Sequence, residues 1–186
     1  LRARGLQDAA GAKARLFAQA AEALLHSGSE ARTTARALFV PGRIEVLGKH
    51  TDYAGGHSIV TAVEQGFCLV AVPRDDARMT VHAAALQEQV RFALDPELVA
   101  THGHWSNYPM TVARRLARNF PACRRGVELA FASDLPPASG MSSSSALIVA
   151  TYLVLAAVNE LSSQPQFQRS IADPLSLAGY LGTVEN

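Results

Sequence analysis

Apolar positions recur at helical spacing at the start of the chain: Leu6, Ala9, Ala10, Leu16, Phe17, Ala20, Ala21, Leu24 and Leu25, with arginines and a lysine between them. That period predicts an amphipathic helix over 6–25 with a solvated basic side, ended at Gly28. The pattern then turns strand-like. Residues 37–47 carry Leu38, Phe39, Val40, Ile44 and Val46, and Pro41-Gly42 among them marks a bend or a sheet edge. Residues 58–72 are rich in Ile, Val and Phe and predict two strands, with Gly66 as a bulge or turn between them. Residues 78–83 and 89–94 alternate and predict a hairpin.

Helical spacing returns at Tyr108, Val112, Leu116 and Phe120, which predicts a helix over 106–120. Residues 126–131 read as one more strand, followed by a turn rich in Pro and Ser. The longest apolar run, 146–158, falls short of the about 20 residues that span a bilayer, so it reads as a buried helix and not a membrane anchor. A polar linker is expected over 162–169, then a last helix started by Asp173-Pro174. Strands outnumber βαβ alternations, so the expected class is α+β. Arg114, Arg115, Arg118, Arg124 and Arg125 fall beside Val112 and Leu116 and read as a solvated face, not a phosphate or nucleic-acid patch.

Composition narrows the function classes. With 186 residues, 48% of them apolar, 18% charged and a net charge of +1, the chain can bury a core and lacks the basic surplus of a nucleic-acid binder. No secretory leader precedes the first helix, and Cys68 and Cys123 have no Cys or His partner at ligand spacing. Both thiols therefore read as reduced, in a cytoplasmic protein that binds no metal through cysteine. His50 and His57 make a poor metal pair, because the Gly55-Gly56 turn separates them. The chain opens on Leu1 and closes on Val184-Glu185-Asn186, which reads as part of a longer protein.

The most informative stretch is the turn before the apolar helix. It holds Pro136, Pro137 and Gly140, then Ser142, Ser143, Ser144 and Ser145, and passes into the helix without a break. The first turn of a helix offers about four free N–H groups and roughly half a positive charge, so it favours an anion. Gly140 lets backbone approach a ligand closely, while small hydroxyls add donors or a magnesium ligand. The alternative is a plain N-cap or a serine linker, but a linker does not run straight into a helix that must be pinned in a core. No Gly-Lys-Ser/Thr follows, which excludes a Walker A loop.

A second turn concentrates charge. Arg43, Glu45, Lys49, His50 and Asp52 lie within ten positions between apolar strands, in a segment bounded by Gly42 and Gly55-Gly56. Such a loop is either a polar pocket or a solvated loop tied by local ion pairs, and charge alone favours the second.

Motif order tips the balance. Pro137-Ala-Ser-Gly140-Met-Ser-Ser-Ser-Ser-Ala146 resembles the second motif of the GHMP kinases, the family of galactokinase, homoserine kinase and mevalonate kinase. The segment from Gly42 to Gly56 resembles the Gly-Arg-x-Asn-x-x-Gly-Glu-His-Thr-Asp-Tyr-x-Gly-Gly signature of galactokinases. The resemblance implies the N-terminal domain of that family, a mixed sheet with packed helices, over 31–186, with 1–30 as a helical segment before it. It implies ATP and Mg2+ as cofactors. Pro137, Gly140, Ser142, Ser143, Ser144 and Ser145 would wrap the phosphates, and Ser144 would help hold the metal. Arg43 would be the catalytic arginine, His50 and Asp52 would bind sugar hydroxyls, and the indole of Trp105 would line the adenine pocket, although alone it reads as a core or hinge aromatic.

Two departures from the signature bear on the substrate. Lys49 stands where galactokinases carry a sugar-binding glutamate, and Glu45 where they carry asparagine. A carboxylate accepts from a hydroxyl, whereas an ammonium only donates. The expected function is thus ATP-dependent phosphorylation of galactose or a related monosaccharide at the anomeric hydroxyl. The alternatives are a kinase for a uronic acid or another sugar, and a catalytically silent sugar- and ATP-binding regulator. The family's aspartate base follows an Ala-Glu-Asn stretch and its third motif lies in a C-terminal domain; this sequence stops at Val184-Glu185-Asn186. The 186-residue piece by itself is therefore expected to be inactive, with the C-terminal domain as its partner, alongside sugar and ATP.

Overall fold

Alternation of apolar residues along the strands gives the sheet two different faces, and each face recruits its own helices. The computed structural model describes residues 3, 5–27, 35–48, 55–99, 101, 103–137 and 139–185. Among them, β1 (Arg36–Leu47), β2 (Ile59–Pro73), β3 (Arg78–Ala83), β4 (Glu88–Ala93) and β5 (Val127–Ser133) form one sheet in the order β1-β2-β5-β3-β4. Only the β3–β5 pair is parallel, so the sheet is mixed, as the α+β expectation requires.

Leu69, Ala71, Met79, Val81, Val127 and Leu129 point to the face covered by α2 (Asn107–Asn119), α3 (Ser143–Val158) and α5 (Pro174–Glu185). Val70, Val72 and Ala130 point to the other face, where Ala20 and Leu24 of α1 (Ala10–His26) pack on them. α3 is apolar all round because it is buried on several sides, with Leu147, Ile148, Val154 and Leu155 each at most 3% exposed. No helix among the described residues is long and apolar enough to cross a membrane.

The hairpin, α2, β5, α3 and α5 fall where the sequence pattern places them. Three expectations change. Residues 58–72 do not break into two strands: β2 is a single strand of 15 residues. Gly66 makes this possible, since a side chain there would collide with the Val40 carbonyl and the Phe39 ring, and β1 and β2 bend together at the Pro41 bulge. The polar linker is also helical. A 3₁₀ turn at Leu161–Ser163 leads into α4 (Pro165–Ser170), whose Phe167 is buried against Phe120 with ring centroids 5.3 Å apart. Finally, the basic side of α1 is not wholly solvated, because Lys13 is 1% exposed. α1 itself runs from Ala10 to His26, and its expected terminator Gly28 lies outside the described residues, as does the expected domain boundary near residue 30.

The arginines beside α2 are exposed or half-buried, in keeping with a solvated face. Arg115 donates to the Thr183 carbonyl at 2.9 Å, and Arg125 lies 3.7 Å from Asp75.

Burial also sets the titration of the core. It pushes the Cys68 thiol from 9.0 up to about 11, against a smaller lowering by Lys13, and pushes Cys123 up to about 12. Desolvation likewise raises Tyr152 from 10.0 to about 12. Raised folded-state values mean that the unfolded chain releases these protons first, so their contribution is intact below pH 9 and is lost as pH climbs towards 12. Stability measured by denaturant unfolding is therefore expected to be level through neutral pH and to fall above it. Thiol-reactive dye at pH 8 should leave the folded protein unlabelled and label both cysteines after unfolding. Rapid labelling of the folded protein would contradict this account.

Candidate active site

The register shift between Pro41 and Arg43, where β2 carries the extra residues, brings the two chemistry-bearing motifs together. Pro41 is tolerated there because β1 is an edge strand. Gly42 follows, and it has to be glycine: a Cβ would lie 2.5 Å from Leu135 Cδ2 and 2.9 Å from the Met141 carbonyl oxygen. That absence of a side chain lets the serine-rich loop lie directly on the strand. Arg43 then donates its backbone N–H to the Met141 carbonyl at 3.0 Å and its Nε–H to Ser142 Oγ at 3.2 Å. Residues 99 positions apart in sequence thus share one corner of the molecule.

The loop reaches that corner through two left-handed residues, Gly140 at φ +72° and Ser142 at φ +53°. The left-handed conformation costs a non-glycine residue roughly 1–2 kcal/mol, and Ser142 bears it while its hydroxyl accepts from Arg43. α3 starts at the next residue, and its own ladder opens with the Ala146 N–H donating to the Ser142 carbonyl at 3.0 Å. Its first turn contains no acidic residue, so the helix itself supplies no negative charge at the positive end of its dipole. Ser143 is exposed and Ser144 and Ser145 half-buried, so hydroxyls cluster beside a guanidinium at this helix end. That donor set fits a phosphate chain. Among the described residues no group of His, Cys, Asp and Glu is arranged to hold a metal.

The entrance of the loop is fixed as firmly as its exit. Asp134 follows β5 and accepts a 2.5 Å bond from Lys13 Nζ and a 2.8 Å bond from the Gly66 N–H. Pro137 and Gly140 are exposed between these two anchored ends.

The remaining expected site residues are more dispersed. Glu45 lies two positions beyond Arg43 in the β1 ladder, on the same side of the strand, half-buried and opposite Val60. Lys49, His50 and Asp52 lie outside the described residues. Trp105 is held by β5 and β4. Its ring meets Phe131 of β5 edge-on at 5.5 Å, and its Nε1–H donates to Glu88 Oε2 at 2.7 Å. Sequence reasoning missed Lys13, Gly66 and Asp134, which hold the loop without belonging to either motif.

Two stretches of the chain match known protein families. Residues 107–179 match the GHMP kinases N terminal domain, and residues 28–73 match the galactokinase galactose-binding signature. The chain has the fold of the GHMP kinase N-terminal domain. Among such proteins it is similar to galactokinases. It is 35% identical over 115 residues to galactokinase from Actinobacillus pleuropneumoniae serotype 5b, an alignment covering 62% of this chain and 30% of that protein. Against galactokinase from Haemophilus influenzae strain PittGG it is 34% identical over 113 residues, covering 61% and 29%. The crystal structure of Lactococcus lactis galactokinase complexed with galactose superposes with a TM-score of 0.68 at 26% identity, over 87% of this chain and 42% of that one. The Methanococcus jannaschii mevalonate kinase shares the fold, with a TM-score of 0.60 at 15% identity. The chain thus spans about 30% of the length of the curated relatives it matches.

Proposed function

We propose that the protein containing this chain is a sugar kinase that phosphorylates galactose, or a close relative of it, at the anomeric hydroxyl, using ATP and Mg2+ in the cytoplasm. The observation that carries this reading is the junction of Arg43 with Ser142 at the N-terminus of α3. Phosphoryl transfer requires charge neutralisation and positioning more than covalent chemistry. In this reading Ser142, Ser143 and Ser145 and the first-turn backbone hold the phosphates, with Pro137 and Gly140 shaping the loop around them. The Ser144 hydroxyl helps hold Mg2+, which supplies charge neutralisation when bound. Arg43 faces the transferring phosphoryl group; Glu45, Lys49, His50 and Asp52 serve the sugar, and Trp105 the adenine side. The match to the galactose-binding signature over 28–73 supports the sugar assignment.

Lys49 favours a second reading, a sugar acid as substrate, because an ammonium complements a carboxylate where the signature's glutamate would repel it. The test is turnover of galactose, galacturonate and glucose by the full-length protein with MgATP, repeated with Lys49→Glu. Galactose is expected to be the best substrate of the unaltered protein. Preference for galacturonate, reversed by Lys49→Glu, would establish the second reading. Binding of sugar and ATP without turnover of any sugar would make the protein a regulator and overturn both.

A further inference from the structure

We propose that Lys13 is a positioning residue for the phosphate loop, fixing its entrance as Arg43 fixes its exit. Part of this inference rests on the function proposed above, which makes 135–142 the phosphate loop.

A lysine that is 1% exposed has given up the hydration of its ammonium, and the structure shows what replaces it. Lys13 Nζ donates to Asp134 Oδ2 at 2.5 Å and sits 5.0 Å from the centre of the Phe39 ring. Its partner is the residue at which β5 ends and the loop begins. The second oxygen of Asp134 accepts the Gly66 N–H at 2.8 Å, and the Asp134 N–H reaches back to the Gly66 carbonyl at 3.4 Å. The neighbouring Ser133 hydroxyl donates to that same carbonyl at 3.1 Å and accepts the Leu135 N–H at 3.1 Å. These bonds converge on Gly66, which lies opposite Pro41 in the bulge that also presents Gly42 and Arg43.

Entrance and exit of the loop are therefore referred to one short piece of β1 and β2, and Lys13 adds α1 to that frame from 121 positions away. Between the clamps, Pro136, Pro137, Ser139 and Gly140 are exposed. A loop held at its ends transmits any movement of those ends to the groups it carries. Lys13 itself is too deeply covered to meet a nucleotide, so it acts through Asp134.

Lys49, His50 and Asp52 follow β1 in the sequence, whereas the clamp at the loop entrance is made by Lys13, Gly66 and Asp134. Loss of Lys13 should consequently weaken nucleotide use and leave sugar use alone, whereas a simple structural brace would affect neither or both. The experiment is steady-state kinetics of the full-length protein carrying Lys13→Met, which keeps the length of the stem, or Lys13→Gln, which keeps a donor for Asp134. Lys13→Met should raise KM for MgATP on the order of tenfold, with KM for the sugar within about twofold of the unaltered protein, and Lys13→Gln should raise the former less. Unchanged MgATP kinetics in folded Lys13→Met, or equal rises for both substrates, would overturn the proposal.

Hydrogen exchange supplies a readout independent of activity. Amides of 135–142 should exchange faster in either variant while those of β3 and β4 keep their rates; a uniform change, or none, would also overturn it. If the unaltered protein neither binds nor turns over ATP, the proposed function fails, while the exchange result still decides whether Lys13 fixes the loop.

Discussion

Replacing Asp134 with alanine is expected to destabilise the domain by about 3 kcal/mol or more, an unusually large loss for a carboxylate about a third exposed to solvent. The size comes from its partner. Removing Asp134 strands the Lys13 ammonium at 1% exposure, with the Phe39 face as its remaining favourable contact. It also releases the Gly66 N–H, which the carboxylate now satisfies at 2.8 Å. The reverse change is milder. Lys13→Met fills the same channel with an apolar side chain and leaves behind a carboxylate that water can reach, so about 1 kcal/mol is a fair expectation. The double variant Lys13→Met/Asp134→Ala should therefore be more stable than Asp134→Ala alone. Urea denaturation of the four proteins measures this, and equal losses for the two single variants would show that burial of Lys13 does not govern the site.

Lys13 also shows how much was legible in the sequence. The steps from Ala9 to Lys13, Ala20 and Leu24 are helical repeats, and all four residues are buried on one stripe. The position of Lys13 thus points to burial while its charge points to solvent, and the neutralising partner that reconciles them lies 121 positions away. The two motifs were readable for the opposite reason. A turn of prolines, glycine and serines before an apolar helix, and a charged segment bounded by glycines, are local features whose chemistry does not depend on distant partners. Their contact is not local. Nothing in the sequence states that Arg43 meets Ser142, since that depends on the antiparallel β1–β2 and β2–β5 registers and on how closely Gly42 lets the loop approach. β2 departs from the sequence pattern for a related reason. A glycine in an apolar run looks like a break, and only the ring of Phe39 and the bulge at Pro41 explain why Gly66 continues the strand. The 162–169 segment became helical through Phe167, one apolar residue among polar ones, whose docking on Phe120 outweighs the polar pattern.

Arg43→Ala is expected to lower kcat of the full-length protein on the order of 10²-fold or more, with both KM values within a few fold. The guanidinium stands at the surface, and its 3.2 Å bond to Ser142 is worth about 1 kcal/mol at most, so the variant should fold and melt close to the unaltered protein. What it loses is a fixed positive charge at the helix end where negative charge would spread over a transferring phosphoryl group. An arginine held through Nε keeps its two terminal nitrogens for a ligand, and a ground-state phosphate already has the helix end and the serine hydroxyls. The loss should therefore fall on the transition state more than on binding. Arg43→Lys separates charge from geometry. Lysine restores the cation but cannot donate sideways to Ser142 while also reaching forward, so it should recover only part of the lost rate. Full recovery by lysine would mean that charge alone matters and that the tie to Ser142 is incidental. A loss under threefold for Arg43→Ala would remove Arg43 from the chemistry and leave the serine loop as a binding element only.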